Sequence, residues 1–449
     1  MILGYKNRNW LVIFTGIGLF YYFIHHHAPH VIKVPASYSR LMEVNGQNQK
    51  SSDQHSLSNE DEAHALDSLF QVPSIPSVGW ENKMKHPNVQ VMRDLMECIK
   101  NDDCRPNQRK FVVLESMNYR EVLHNYMSGE NIWARSVLEA LDDLGYSYVF
   151  ARDMAHAGDW VATLGDAVLA VVADEQSIQE CYENSEVCLR TVENPLGIRF
   201  ERLFGPAFFE RQIQPLGPKW TLVPEKPDSR RQYLGYSIEK HCMARKVPSY
   251  KIRSKKRQVW VLAKWIHFFT DDSFPYSKDI FVRAAKELDV EFIGAWRIED
   301  TDGHVPGVRH LGDGNILTSE KFDEALVSVL AVVGVGAPWI SPTPYQSVCF
   351  GIPFVNPTIW GGASSQHPFA QQFVGEEHGI YTVVEKDDDM FISQLAKAIS
   401  KPHDRYVPPH MTRKAMVDRV QSWLTRNSTE MAREVLKSHP ERFKGHILV

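Results

Sequence analysis

The chain lacks the short signatures that most quickly assign a nucleotide- or metal-dependent chemistry. No G-x-x-x-x-G-K-[ST] or G-x-G-x-x-G follows an expected strand, which argues against P-loop and dinucleotide sites. G-x-S-x-G and H-E-x-x-H are also missing. Positive charge is not in excess: the formal net charge is −5 and no arginine-rich stripe is present, so a nucleic-acid partner is not expected. The one basic cluster, at Lys251, Arg253, Lys255, Lys256 and Arg257, reads as a solvated linker. The body shows no repeat of fixed period and no low-complexity tract.

Long hydrophobic runs are scarce as well, with one informative exception. Lys6 and Arg8 precede an uncharged stretch from Trp10 to Ile24 that ends in tyrosines and a histidine triplet, without small residues for cleavage. It is shorter than the roughly 20 residues of an average span, which thinner membranes and interfacial aromatics tolerate. The expectation is a cytosolic tail over 1–9, a signal anchor over 10–27, and a lumenal body. His25, His26 and His27 then read as interfacial residues rather than a metal site. Residues 28–90 are mostly polar without sustained periodicity and read as a flexible stem.

Six cysteines suit an oxidising lumen. Cys98 and Cys104, like Cys181 and Cys188, are near enough to close small loops, although six thiols allow about 15 connectivities. Asn427-Ser428-Thr429 is the usable glycosylation sequon, because Pro357 spoils Asn356.

At 449 residues the chain has room for more than one domain. Phe111–Leu114 is a short apolar run suited to a strand buried on both faces, and the folded body is expected to begin near Lys110. Ile132, Trp133, Ser136, Val137, Ala140, Leu141 and Leu144 follow helical spacing, with Gly145 at the C-cap. Further strands are expected at 146–150, 167–173, 259–263, 290–295, 331–335 and 352–355. Helices are expected over 280–288, 322–330, 345–349, 390–399 and 414–424. This alternation indicates an α/β protein: one Rossmann-like domain over 91–250, a second over 251–403, and closing helices over 404–449. Two such domains face a cleft at the C-terminal ends of their strands.

Gly334 to Gln346 is the richest segment. It leaves a buried strand, turns through small residues and prolines, and enters a helix near Pro344. Backbone N–H groups around Ser341 to Tyr345 would form an anion site suited to a diphosphate, with Gln346 one turn further in. Two D-x-D arrangements, Asp300/Asp302 and Asp387 to Asp389, lie in charged turns and read as solvated loops rather than cation sites.

This segment resembles the donor-binding stretch of glycosyltransferase family 18, the alpha-1,6-mannosylglycoprotein 6-beta-N-acetylglucosaminyltransferases. Gly129-Glu130, Pro227-Asp228, Leu234-Gly235-Tyr236, Ala263-Lys264 and Asn315-Ile316-Leu317 are similar to family elements in order. Ser365-Gln366-His367-Pro368-Phe369-Ala370 matches a family motif, and Tyr406 through Trp423 resembles its closing helix. The resemblance runs from about Lys110 to Trp423 and implies a GT-B fold without a required metal or other cofactor. It further implies UDP-GlcNAc as co-substrate, inversion at the anomeric carbon, and the 6-hydroxyl of an alpha-linked mannose on a glycoprotein N-glycan as acceptor. A single-pass type II Golgi membrane protein is the corresponding location. Carried over by motif, Glu130 is the general base. Lys264, Asn315, Ile316, Ser341, Pro342, Thr343, Gln346, Gln366 and His367 are the donor-side residues, with no metal ligand. Two departures weaken the transfer of donor and linkage. The family has a glutamate where Gln346 stands, and a lysine-bearing insertion where only a few residues separate Asn356-Pro357 from Ser365. A different donor or acceptor, or a catalytically inactive lumenal glycan-binding relative, are the alternatives.

Overall fold

The computed structural model describes residues 81–124, 128–208, 214–227, 229–270, 274–298 and 303–440. The expected anchor with its histidine triplet, most of the expected stem, Asp228, and Asp300/Asp302 lie outside them. Among the described residues no helix is long and apolar enough to cross a membrane.

Folded structure begins well before Lys110. Helix α1 (Glu81–Asn101) starts inside the stretch read as stem. Its Asn88 donates from Nδ2 to the Phe150 carbonyl and accepts from the Phe150 N–H, both at 2.8 Å. A side-chain amide thus satisfies an edge strand, a long-range pairing with no periodicity to announce it. Cys98 at the end of α1 is bonded to Cys104.

The first half is a six-stranded parallel sheet. Its strands are β1 (Phe111–Leu114), β2 (Ser147–Phe150), β3 (Val168–Val172), β4 (Leu203–Pro206), β5 (Thr221–Val223) and β6 (Gln232–Tyr233), in spatial order β2-β1-β3-β4-β5-β6. All four residues of β1 are buried, as expected of a strand covered on both faces. Between β1 and β2 runs helix α2 (Gly129–Leu144), and between β2 and β3 runs α3 (Met154–Leu164). Ser128 caps α2 in a reciprocal capping box with Asn131, and Gly145 ends it at φ 73°. After β6 the short helix α4 (Glu239–Ala244) approaches the second half.

The second half contains β7 (Gln258–Leu262), β8 (Glu291–Gly294), β9 (Val308–His310), β10 (Ala331–Gly334), β11 (Phe354–Ile359), β12 (Ser364–Ser365) and β13 (Ile380–Val383). Its parallel strands run β9-β8-β7-β10-β11-β13, with β12 antiparallel to β11. That is the Rossmann order, with its switch point between β7 and β10. Helix α5 (Ser319–Leu326) precedes β10, and α6 (Thr343–Cys349) follows it.

The basic cluster before β7 is not a solvated linker throughout. Residues Tyr250–Lys256 form a helix, and Arg253 is buried, donating to the carbonyls of Pro248, Val329 and Gly351. Strand β11 starts after Pro353 and extends to Ile359, longer than its sequence suggested.

Two features tie the halves together. Cys242 on α4 is bonded to Cys349 on α6, a closure across 107 residues. The chain then returns to the first half through α7 (Arg413–Thr425), whose Met416, Val420, Trp423 and Leu424 are buried. Trp423 meets Phe204 edge-on at 5.3 Å, and Arg413 Nε reaches Asp143 on α2 at 2.6 Å. Burying a side chain the size of Trp423 contributes about 2–3 kcal/mol.

Candidate functional site: a cleft between the two sheets

A cavity of about 330 Å³ opens between the C-terminal ends of the two sheets. One wall is the start of α2, with Ser128, Gly129, Glu130, Ile132 and Arg135. The other is built from the ends of β7 and β10 and from helices α5 and α6. The walls approach closely: a Cβ on Gly129 would lie 3.1 Å from Pro342 Cδ.

Glu130 occupies the first turn of α2, where the helix dipole favours its negative charge. It is half-buried, and among the described residues its carboxylate has no hydrogen-bond or ion-pair partner. Lys264 stands at the end of β7 as an exposed cation on the same cleft, while its carbonyl accepts from the Arg297 N–H at 3.0 Å. Ile316, Ser341, Pro342, Thr343 and Gln346 also line it.

Three of the sequence-predicted residues do not. Asn315 lies just outside the lining and accepts from the Ile316 N–H at 2.8 Å, so it shapes the turn that presents Ile316. Gln366 is fully buried beneath the β10 loop, accepting from Gly336 N–H at 2.9 Å and donating to the Pro338 carbonyl at 3.1 Å. It acts as a pin for that loop. His367 is buried with neither ring nitrogen hydrogen-bonded among the described residues, and burial pushes it down to about 3. It is a neutral core imidazole.

The expected anion site at α6 has fewer donors than the sequence suggested. Pro342 and Pro344 carry no N–H, and the Thr343 N–H is taken by Ser341 Oγ at 3.2 Å. Gln346 does not stand free either. Its amide donates to Asp323 Oδ1 at 2.7 Å, while Asp323 Oδ2 receives His241 Nε2 at 2.7 Å and Arg245 Nη2 at 2.9 Å.

Sequence reasoning missed Asp323, His241 and Arg135, all of which line the cleft. Asp323 and His241 come from helices 82 residues apart, so no local motif unites them. Arg135 had a readable signal: it lies three residues after Ile132 and four before Glu139, on one face of the same helix. Its Nε is buried without a partner among the described residues.

Asp387 to Asp389 are helix-capping and pairing residues. Asp387 accepts from the Met390 N–H at 2.8 Å, Asp388 accepts from the Ser277 N–H at 3.2 Å, and Asp389 pairs with Arg283. Among the described residues no group of three or more metal-ligating side chains is assembled. Between Asn356-Pro357 and Ser365 the chain makes the tight β11–β12 hairpin, with Trp360 at its tip at φ 58° and Trp339 5.2 Å away.

Two Rossmann-like sheets facing a cleft of nucleotide size, bridged back by a C-terminal helix, define a GT-B-type α/β protein. The chain belongs to glycosyltransferase family 18, whose profile matches residues 210–440. The matched region covers the second half and the closing helices; Gly129-Glu130 lies before it. Among similar proteins, human alpha-1,6-mannosylglycoprotein 6-beta-N-acetylglucosaminyltransferase A is 21% identical over 225 residues, 46% of this chain and 28% of that protein. The mouse B enzyme is 24% identical over 126 residues, 24% of this chain and 16% of that one. The matched segments thus span less than a third of those relatives. Among solved structures, a spinosyn rhamnosyltransferase with thymidine diphosphate aligns at TM-score 0.32 and 12% identity, over 73% of this chain and 99% of that chain.

Proposed function

We propose that the protein is an inverting, metal-independent glycosyltransferase. In this reading it moves GlcNAc from UDP-GlcNAc to the 6-hydroxyl of an alpha-linked mannose on glycoprotein N-glycans. The observation that carries the proposal is the Glu130 carboxylate, without a partner among the described residues, on one wall of the cleft, facing a donor wall built from Lys264 and Ser341 to Gln346. In the reaction, mannose O6 attacks the anomeric carbon, the bond to the β-phosphate oxygen breaks, and UDP departs. Glu130 takes the O6 proton in the same displacement. Lys264 and Arg135 offer positive charge to the departing diphosphate, where preformed electrostatics contribute most to rate. The N-terminal stretch would anchor the body in the Golgi membrane with the cleft in the lumen.

Binding of UDP and UDP-GlcNAc measured by calorimetry with EDTA present tests the donor assignment. Saturable micromolar binding of both is expected. Tighter binding of a GDP-sugar would move the assignment to another donor.

A second reading, a glycan-binding relative without transfer, draws on the Gln346–Asp323 hydrogen bond, which engages the amide of a residue expected on the donor side. Turnover of any donor in EDTA would exclude it.

A further inference from the structure

A second cavity, of about 180 Å³, lies at the opposite end of the first sheet from the cleft. It is framed by the C-terminal end of α3, the start of β3 and the 190–202 segment. Three guanidinium groups line it, those of Arg190, Arg199 and Arg202, against one carboxylate, Asp166. Asp166 is 81% exposed and shared at long range, 3.6 Å from Arg199 and 3.7 Å from Arg202. Arg199 is further neutralised from behind by the buried Glu201, at 2.7 Å. Arg202 spends donors on the carbonyls of Asp166 and Val168. Arg190 has no counter-charge: its Nε is buried and unpartnered among the described residues.

The backbone that carries Arg190 is fixed rather than adaptable. Cys181–Cys188 closes the chain two residues before it. The Arg190 N–H donates to the Ile198 carbonyl at 2.8 Å, and the Ile198 N–H to the Cys188 carbonyl at 2.9 Å. Asn194 bonds across the loop to the Leu189 carbonyl at 3.0 Å. Gly197 allows this closure, because a Cβ there would sit 2.3 Å from the Leu189 oxygen. A covalently and hydrogen-bond-locked loop therefore holds a third cation against two others. Like charges so placed repel, and burial together with the neighbouring Arg199 and Arg190 charges holds Arg202 below its ordinary value. An oxyanion seated among them would supply the missing counter-charge to the Arg190 guanidinium that lines the cavity.

We infer that this cavity is an oxyanion site for a phosphate or sulfate monoester group, separate from the donor cleft. The inference does not depend on the proposed transferase reaction. The ligand is either a free anion or the same group carried on a saccharide; the cavity volume admits both.

The test is a thermal-shift titration of the full-length protein in detergent, with inorganic phosphate and sulfate, against sodium chloride at matched ionic strength. Glucose 6-phosphate forms a parallel arm. Saturable stabilisation beyond chloride is expected, with half-saturation at about tenfold higher concentration in Arg190→Gln, the loss of one charge-assisted contact. Arg190→Lys should retain part of the effect, because it keeps the charge and loses the planar fork. UDP binding should be unchanged in both variants. A tighter response to glucose 6-phosphate than to phosphate assigns the group to a saccharide; the reverse assigns a free anion. An equal phosphate response in wild type and Arg190→Gln, or none beyond chloride, overturns the inference. If Arg190→Gln does not fold, an undiminished response in Arg190→Lys does so.

Discussion

The side-chain amide of Gln346 donates to Asp323 Oδ1 at 2.7 Å, and both residues are at least nine-tenths buried on the wall of the cleft. The glutamine is therefore part of a carboxylate-holding network with His241 and Arg245. Glu, the residue expected here from the family resemblance, would set two carboxylates against each other. Gln346→Glu should destabilise the protein by on the order of 2 kcal/mol, from a lost donor and a buried like charge. Adding Asp323→Asn should recover most of that loss, because the asparagine amide can donate to the new carboxylate. Urea denaturation of the two variants checks this; equal losses in the single and double variants would refute the coupling.

Glu130→Gln should reduce kcat about 100- to 10,000-fold, the usual contribution of a positioned general base. The melting temperature and UDP affinity should barely move, since the carboxylate has no internal partner among the described residues. Full turnover in a folded Glu130→Gln protein would remove Glu130 from the chemistry.

Cys242–Cys349 joins the two halves at the back of the cleft. Replacing both by alanine should lower stability by about 2–4 kcal/mol, because the unfolded chain regains the freedom of a long loop. The comparison is the urea midpoint of wild type and the double variant under non-reducing conditions. Identical midpoints would show that the bond does not restrain the chain.

Glu225 is fully buried with the Tyr236 hydroxyl donating to it, and burial pushes its carboxyl up to about 8 from an ordinary 4.5. The folded state therefore holds a proton that the unfolded state releases above pH 4.5. Its stabilising contribution is complete below that value and is lost as pH rises toward 8. Buried Glu115, raised to about 7, acts with the same sign. His367, held down to about 3 from 6.5, acts oppositely: its contribution is present above pH 6.5 and lost as pH falls toward 3. Stability should decline on both sides of a mildly acidic maximum. Glu225→Gln should flatten the alkaline decline between pH 5 and 8, measured as the urea midpoint against pH. An unchanged slope would contradict the buried proton.

The parts of the fold written in local sequence were legible. Strand β1 coincides with its apolar run, the 280–288 helix with its spacing, and Gly145 with its left-handed cap. The two short-loop disulfides were also within reach of sequence. Strands β5, β6 and β9 were not: they are two or three residues long, too short to show a period, and β4 ends in Gly-Pro rather than forming an apolar run. Helix α1 was hidden because its polar composition matches that of the stretch before it.

The site divides in the same way. Residues in one connected segment, such as Ser341 to Gln346, or at the start of a capped helix, such as Glu130, could be nominated from the chain. Burial then separated lining residues from supporting ones: Gln366 and His367 share a motif that reads as donor-facing, yet both sit under the cleft. What the sequence by itself determined was the alternation of strands and helices, and with it two sheets whose strand ends meet. That information is local, set by side-chain period and caps. Tertiary structure alone decided that Asp323 would be held by His241, Arg245 and Gln346, and that Arg190 would face two other arginines. Those arrangements depend on side chains brought together by sheet order and chain crossings, over separations at which periodicity carries no information.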